Sequence, residues 1–227
     1  MFYFLKNLRL RKNLRQIRTS IQLLSHAVKN QLMVIKLLVT QVNKPDNFAD
    51  WEKLTRIREL CEHFLFRLDR LNRIFGETAV KKESTSIHSV LLSAIEKTKP
   101  IQANIEFKCD FTGETEERIY MDPSAMEEVF VHFIMNAIEA MPKGGRLEIR
   151  LKKGKNRFLV QFLDTGVGIP AKDKDKIFQP FYTTKSINQN WGLGLSFCLL
   201  VVHAHHGKIT VKSKPGKGSL FTIRLPQ

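Results

Sequence analysis

The chain has 227 residues, 43% of them hydrophobic and 26% charged, which suits one globular domain or two small ones. No apolar run approaches the roughly 20 residues that cross a bilayer and no secretory signal is evident, so we expect a cytoplasmic protein with reduced cysteines. The formal net charge of +15 raises nucleic acid as a partner, but the placement of the charge argues against it.

Residues 1–45 hold much of this charge, with nine Lys or Arg and no acid. Such a block suits the inner face of an anionic membrane, and a solvated helix face is the alternative. From Ile17 to Val42 apolar residues recur every three or four positions and predict one long helix, which the turn around Pro45 ends. From Leu54 to Phe75 they follow a 4-3 heptad, typical of a coiled-coil seam.

Residues 1–78 are therefore predicted to form a helical hairpin. Two helices with apolar seams cannot enclose a core by themselves, so we expect pairing with a second copy into a dimeric four-helix bundle. The alternative is that the hairpin packs on the rest of its own chain.

The polar stretch Gly76–Ser86 lacks apolar periodicity, so we place a linker at residues 79–86 and a second, mixed α/β domain at residues 87–227. Its predicted elements are a helix near 88–99, a strand near 105–111, a helix from Pro123 to Met141 capped by Asp122, and strands at 147–151, 158–163, 209–211 and 220–225.

One loop of this domain suits a purine base. Asp164 ends a strand, where its carboxylate could accept a hydrogen bond from the exocyclic amine of adenine and would repel the carbonyl of guanine. Gly166 and Gly168 let the backbone pass close under a flat ring. Alone, this pattern is also that of an ordinary strand-to-loop turn.

Other residues suit phosphates. Asn136, within a helix, offers the neutral oxygen that Mg²⁺ accepts, and helical spacing puts His132 on the same face. The run Gly192-Leu193-Gly194-Leu195 begins an apolar helix whose unpaired amides could meet a polyphosphate. Lys185 could add a point charge.

In order along the chain, the asparagine helix, the Asp-Gly loop, Tyr182-Thr183-Thr184-Lys185 and Gly-Leu-Gly-Leu closely resemble the catalytic ATP-binding domain of sensor histidine kinases. That domain belongs to the superfamily of gyrase, Hsp90 and MutL, and the resemblance covers residues 85–227. It implies an α+β fold class, in which the hairpin precedes an α/β two-layer sandwich with a mixed sheet and helices on one face. It also implies ATP and Mg²⁺ as cofactors.

The same resemblance assigns the phosphoacceptor. His26 lies in the first predicted helix, where the family carries the histidine that ATP phosphorylates, and the next acceptor is an aspartate on a separate response regulator acting in trans. Asn30 matches a family position that helps to dephosphorylate the regulator, and Lys29 could stabilise the phosphoryl group. The prediction is a dimeric protein-histidine kinase, with phosphatase activity as an additional expectation.

The chain departs from the family pattern at two positions. Ala27 stands where many family members have an acid that serves as base, which favours a nucleotide-binding phosphotransfer scaffold with weak or no autokinase activity. His132 stands where the superfamily ATPases carry the glutamate that activates water, which argues against an ATPase. Near the chain's end, His203, His205 and His206 are interpreted as a cationic helix cap, with a metal cluster as the alternative.

Overall fold

The computed structural model describes residues 28–30, 32–37, 39–40, 48–75, 80–98, 104–112, 118–184 and 192–227. It divides into two units, Met1–Thr78 and Ala79–Gln227. His26, Lys185 and the basic residues before position 28 lie outside the described residues. Within the described part of the chain, no helix has both the length and the apolar content of a membrane span.

The residues that the structure describes in the first unit lie in two helices. Helix α1 comprises the helical residues described between 28 and 40, and α2 spans Phe48–Phe75. Lys36 Nζ lies 2.7 Å from Glu62 Oε1, an ion pair that joins the two helices. Cys61 is buried in the predicted seam, whereas Ile35 and Ile57 in the same seams are 43% and 40% exposed. The four-helix bundle requires a second copy of the chain and stays a prediction.

The second unit is an α/β domain with a mixed five-stranded sheet in the order β2-β4-β5-β7-β6. Strands β2 and β4 pair in parallel, and the other neighbours pair antiparallel. The strands of this sheet are β2 Ile105–Thr112, β4 Gly145–Gly154, β5 Arg157–Asp164, β6 Lys208–Ser213 and β7 Ser219–Pro226. The helices are α3 Ile87–Thr98, α4 Pro123–Ala140 and α5 Gly194–Ala204.

A separate two-stranded sheet includes part of the predicted linker. Strand β1, Glu83–Ser86, lies within residues 79–86 and pairs antiparallel with β3, Arg118–Met121. No apolar alternation marks β1 because all its residues are polar, whereas strand pairing uses backbone groups that every residue has.

Helix α4 and strand β5 form the centre of the domain. Asp122 caps α4 by accepting a hydrogen bond from the amide of Ala125 at 2.9 Å, as predicted, and proline follows at the first helical position. Phe133 of α4 stacks on Phe162 of β5 with ring centroids 5.4 Å apart. Because alternate strand residues share a face, Asp164 lies on the same side of β5 as Phe162, the side that α4 covers.

Candidate nucleotide-binding site

Asp164 is fixed at the end of β5. It is 3% exposed, and its Oδ1 accepts hydrogen bonds from the amides of Gly166 at 2.8 Å and Ser219 at 3.2 Å. Burial raises the pKa of Asp164, and the hydrogen bonds from these amides lower it by less. A buried carboxylate with a fixed orientation is a directional acceptor, and a ligand that donates to it would stabilise its charge.

The loop after Asp164 rests directly on the end of α4. The amide of Val167 donates to the carbonyl oxygen of Ala140 at 3.0 Å. A Cβ on Gly166 would lie 2.5 Å from the same oxygen, so only glycine permits this approach. Gly168 has a left-handed φ of +71° and faces the backbone of Lys214. The glycines predicted from sequence therefore shape the loop by close backbone packing.

The turn between β6 and β7 supports the loop from its other side. Ser213 Oγ accepts from the amide of Ile169 at 2.7 Å, and the amide of Gly216 donates to the carbonyl of Val167 at 2.8 Å. Ser213 Oγ also donates to the carbonyl of Gly218 at 2.8 Å. Sequence reasoning missed Ser213 and Ser219 as supports, and the glycines that precede Ser219 were the one local signal of a constrained turn.

One stripe of α4 connects the predicted pieces of the site. His132, Asn136 and Ala140 follow at intervals of four residues, so they share a helix face about 12 Å long. Ala140 contacts Gly166 at one end. At the other end, Nδ1 of His132 lies 3.3 Å from where a Cβ on Gly194 would stand. The Asp164 loop and the start of α5 therefore lie at opposite ends of this stripe, with Asn136 between them.

Asn136 carries a polar atom suited to a ligand. Among the described residues, its Nδ2 is buried and has no hydrogen-bond partner. A buried amide left in this state costs about 1–3 kcal/mol, which a bound group would recover. Rotation of the amide by half a turn would present Oδ1 instead, an oxygen of the kind that Mg²⁺ accepts, so the residue fits a phosphate-bound magnesium ion.

The start of α5 offers backbone amides. Leu193, which is 3% exposed, caps the helix without a side-chain hydrogen bond, and Gly194 and Leu195 form its first turn. Gly192, at φ +65°, precedes the cap. The helix dipole and the first-turn amides together favour an anion at this end.

The predicted phosphotransfer residues lie in the first unit. Lys29 and Asn30 are helical in α1, Lys29 half-buried and Asn30 exposed. His26 precedes them outside the described residues, so its relation to them stays a prediction.

His205 is not the cationic cap that the sequence suggested. It is 4% exposed, its Nε2 accepts from the amide of Asp122 at 2.8 Å, and its Nδ1 lies 2.7 Å from the carbonyl of Val201. Accepting at Nε2 requires the neutral ring with its proton on Nδ1. Burial lowers the pKa of His205 accordingly. The ring joins the end of α5 to the start of α4, a role that depends on tertiary contact.

Residues 121–227 match the family described as histidine kinase-, DNA gyrase B-, and HSP90-like ATPases. Residues 121–227 therefore carry the ATP-binding domain of this ATPase family, as the order of motifs predicted.

Two curated relatives of the chain are named as kinases. Sporulation kinase C of Bacillus subtilis is 31% identical over 89% of this chain and 47% of its own length, and sensor histidine kinase ZraS of Salmonella typhimurium is 30% identical over 74% of this chain and 38% of its own length. The chain is thus similar to sensor histidine kinases over most of its length and carries a catalytic ATP-binding domain. It spans less than half the length of these curated relatives.

Two solved histidine kinase structures are similar to this chain. The catalytic domain of histidine kinase ThkA is 28% identical, with a TM-score of 0.57 over 65% of this chain and 96% of its own. Full-length ShkA in complex with AMPPNP is 21% identical, with a TM-score of 0.77 over 92% of this chain and 45% of its own, and shows a shared fold.

Proposed function

We propose that the protein is an ATP-dependent protein-histidine kinase that autophosphorylates on His26 and passes the phosphoryl group to an aspartate of a separate response regulator. The observation that carries the proposal is the stripe on α4 that sets Asn136 between Gly166 and Gly194. The names of the relatives, a sporulation kinase and a sensor histidine kinase, support the same activity.

ATP would lie along this stripe with its base at the Asp164 loop. The carboxylate of Asp164 would accept from the exocyclic amine of adenine, which selects adenine over guanine. The polyphosphate would then extend past Asn136 toward the first-turn amides of α5. His132, packed beneath Gly194, would line the phosphate end, and Lys185 would add a positive charge there.

Each group of the proposed site has a separate role in phosphoryl transfer. A neutral imidazole nitrogen of His26 attacks the γ-phosphorus, the bond to the oxygen bridging the β- and γ-phosphates breaks, and ADP leaves. Asn136 would hold Mg²⁺ on the phosphates, where the ion offsets their charge during transfer. The amides at the start of α5 add to that stabilisation because they are fixed before the reaction.

A second copy of the chain completes the first unit in this proposal. Ile35 and Ile57 lie in the predicted seams yet are 43% and 40% exposed, which a four-helix bundle would cover. Lys29 and Asn30 would then flank His26 on the bundle wall, Asn30 orienting water for regulator dephosphorylation. The proposed compartment is the cytoplasm, with the basic residues 1–45 facing anionic lipid at its membrane.

The test is autophosphorylation of the full chain with γ-labelled Mg-ATP. Wild type should acquire acid-labile, base-stable label, because a phosphoramidate has that stability profile. His26→Gln should lose the label and keep nucleotide binding, whereas His203→Gln, a change at an exposed histidine of α5, should label normally. Label that persists in His26→Gln contradicts the assignment of the acceptor.

A phosphotransfer scaffold is the second candidate, and Ala27 favours it because the position next to His26 then lacks a base. A receiver domain charged with labelled acetyl phosphate separates the two candidates. Label that moves from the receiver to His26, together with no label from ATP, would establish the scaffold. Label that His26 acquires from ATP in the absence of any receiver domain would establish the kinase.

A further inference from the structure

The segment between the Asp164 loop and α5 contains a buried carboxylate. Asp173 ends a short 3₁₀ turn, Ala171–Asp173, that directly follows Pro170, and it is 9% exposed. A buried carboxylate is costly unless a donor compensates it. The donor here is the hydroxyl of Tyr182, whose hydrogen bond to Asp173, together with burial, raises the pKa of that tyrosine. A hydrogen bond to an ionised acceptor is among the stronger kinds in proteins.

The backbone beside Tyr182 is packed against the glycine turn. The amide of Phe181 donates to the carbonyl of Gly192 at 3.0 Å. A Cβ on Gly192 would lie 2.5 Å from the carbonyl oxygen of Tyr182, so the two chain segments touch without room for a side chain. The Tyr182 backbone therefore fixes where Gly192 can lie.

Phe181 shows that this arrangement is imposed by its surroundings. It has a left-handed φ of 67°, which a residue with a Cβ adopts at a cost of about 1–2 kcal/mol. Such a conformation persists only where neighbouring contacts determine it. The contacts on either side are the Gly192 carbonyl and the Tyr182–Asp173 hydrogen bond.

Gly192 leads directly into the phosphate end of the site. Leu193 caps α5 and Gly194 is its first residue, packed against His132. A displacement of Gly192 would therefore move the first-turn amides, while the Asp164 loop has its own supports at Ala140 and Ser213. The Tyr182–Asp173 pair is thus connected to one half of the site only.

We propose that Tyr182 and Asp173 are positioning residues that hold the first turn of α5 where it meets the nucleotide phosphates. The inference rests on the proposed function, since it concerns the same nucleotide site. It makes triphosphate recognition depend on a side-chain pair that lies away from the ligand, and it leaves recognition of the base independent of that pair.

The experiment compares Tyr182→Phe with Tyr120→Phe in the full chain. Each change removes one hydroxyl, and Tyr120 is a suitable control because it is 72% exposed on β3. Dissociation constants are measured for a non-hydrolysable ATP analogue with Mg²⁺ and for adenosine, alongside the thermal midpoint. We expect Tyr182→Phe to weaken the triphosphate analogue about 5- to 10-fold, or about 1–1.4 kcal/mol, and adenosine less than about 2-fold. Tyr120→Phe should change neither constant.

A second variant keeps the proposal falsifiable if Tyr182→Phe unfolds. Asp173→Asn preserves the shape and an accepting oxygen but removes the charge, so we expect the triphosphate analogue to weaken by about 2- to 4-fold. Equal weakening of adenosine and the analogue, or no weakening of either, would overturn the positioning role. Wild type that binds neither compound would refute the proposed nucleotide site itself, and the inference with it.

Discussion

Replacing Gly166 with alanine tests the contact on which the Asp164 loop depends. An added Cβ would lie 2.5 Å from the carbonyl oxygen of Ala140 and 2.8 Å from its carbonyl carbon. Ordinary contacts begin near 3.4 Å, so the loop must move by 3.4 − 2.5 = 0.9 Å. Since the obstructing atoms belong to the backbone of α4, no side-chain rotation can relieve the overlap.

The expected loss of stability in Gly166→Ala follows from this displacement. Overpacking of this kind costs about 1–3 kcal/mol, and loss of the hydrogen bond from Val167 to Ala140 adds about 1 kcal/mol. The free energy of unfolding should thus fall by about 2–4 kcal/mol, less about 0.5 kcal/mol because alanine restricts the unfolded chain. At about 2–4 °C per kcal/mol, the thermal midpoint of the second unit should fall by roughly 3–14 °C.

Calorimetry of the full chain and titration with a non-hydrolysable ATP analogue measure the two consequences. We expect Gly166→Ala to lower the midpoint and to abolish measurable binding, because the loop carries Asp164 with it. Gly154→Ala is the matched control, since the nearest atom to its Cβ would be 3.4 Å away at the far end of β4. A midpoint for Gly166→Ala within 2 °C of the control's, with wild-type affinity, would refute the reasoning.

Three further outcomes are expected. Asn136→Ala should weaken the Mg²⁺-bound ATP analogue by at least about 10-fold and leave adenosine unaffected, as competition binding would show. Because burial lowers the pKa of His205, the unfolded chain takes up its proton first as the pH falls. The contribution of His205 to the free energy of unfolding is therefore fully present above about pH 6.5. Below that pH the free energy of unfolding falls by up to about 1.4 kcal/mol per pH unit. Denaturation at pH 7.5 and 5.5 should show this pH dependence, which His205→Gln reduces and His203→Gln retains. Gly194→Ala should weaken nucleotide binding in wild type but less in His132→Ala, since its Cβ would stand 3.3 Å from that ring; additive effects in the double-mutant cycle would contradict the contact.

Much of the fold was accessible from local patterns. The helical period marked α2 and α4, the alternation marked β4, β5 and β7, and Asp122 marked the start of α4. The helical spacing of His132 and Asn136 correctly placed both on one face. These features depend on neighbours within a few residues, so the sequence carries them directly. The match of residues 121–227 to an ATPase family confirms the resemblance that the glycine motifs indicated.

Other features required contacts between distant residues. The pairing of β1 with β3 spans more than 30 residues and uses backbone groups alone, so the polar residues of β1 carry no local strand signal. Ser219 donates to Asp164 from the neighbouring strand β7, and Ser213 of β6 accepts from Ile169 in the loop. His205 meets Asp122 from a helix end where the sequence suggested a charged cap.

The sequence by itself determined the motifs, the residue types at the site and the resemblance to the ATPase family that residues 121–227 match, because glycine, asparagine and aspartate at those spacings suit few other structures. Only the tertiary structure decided which residues hold the motifs in place. Burial and hydrogen bonding between separate elements set the state of His205, the orientation of Asp164 and the partner of Asp173, and none of these depends on local spacing.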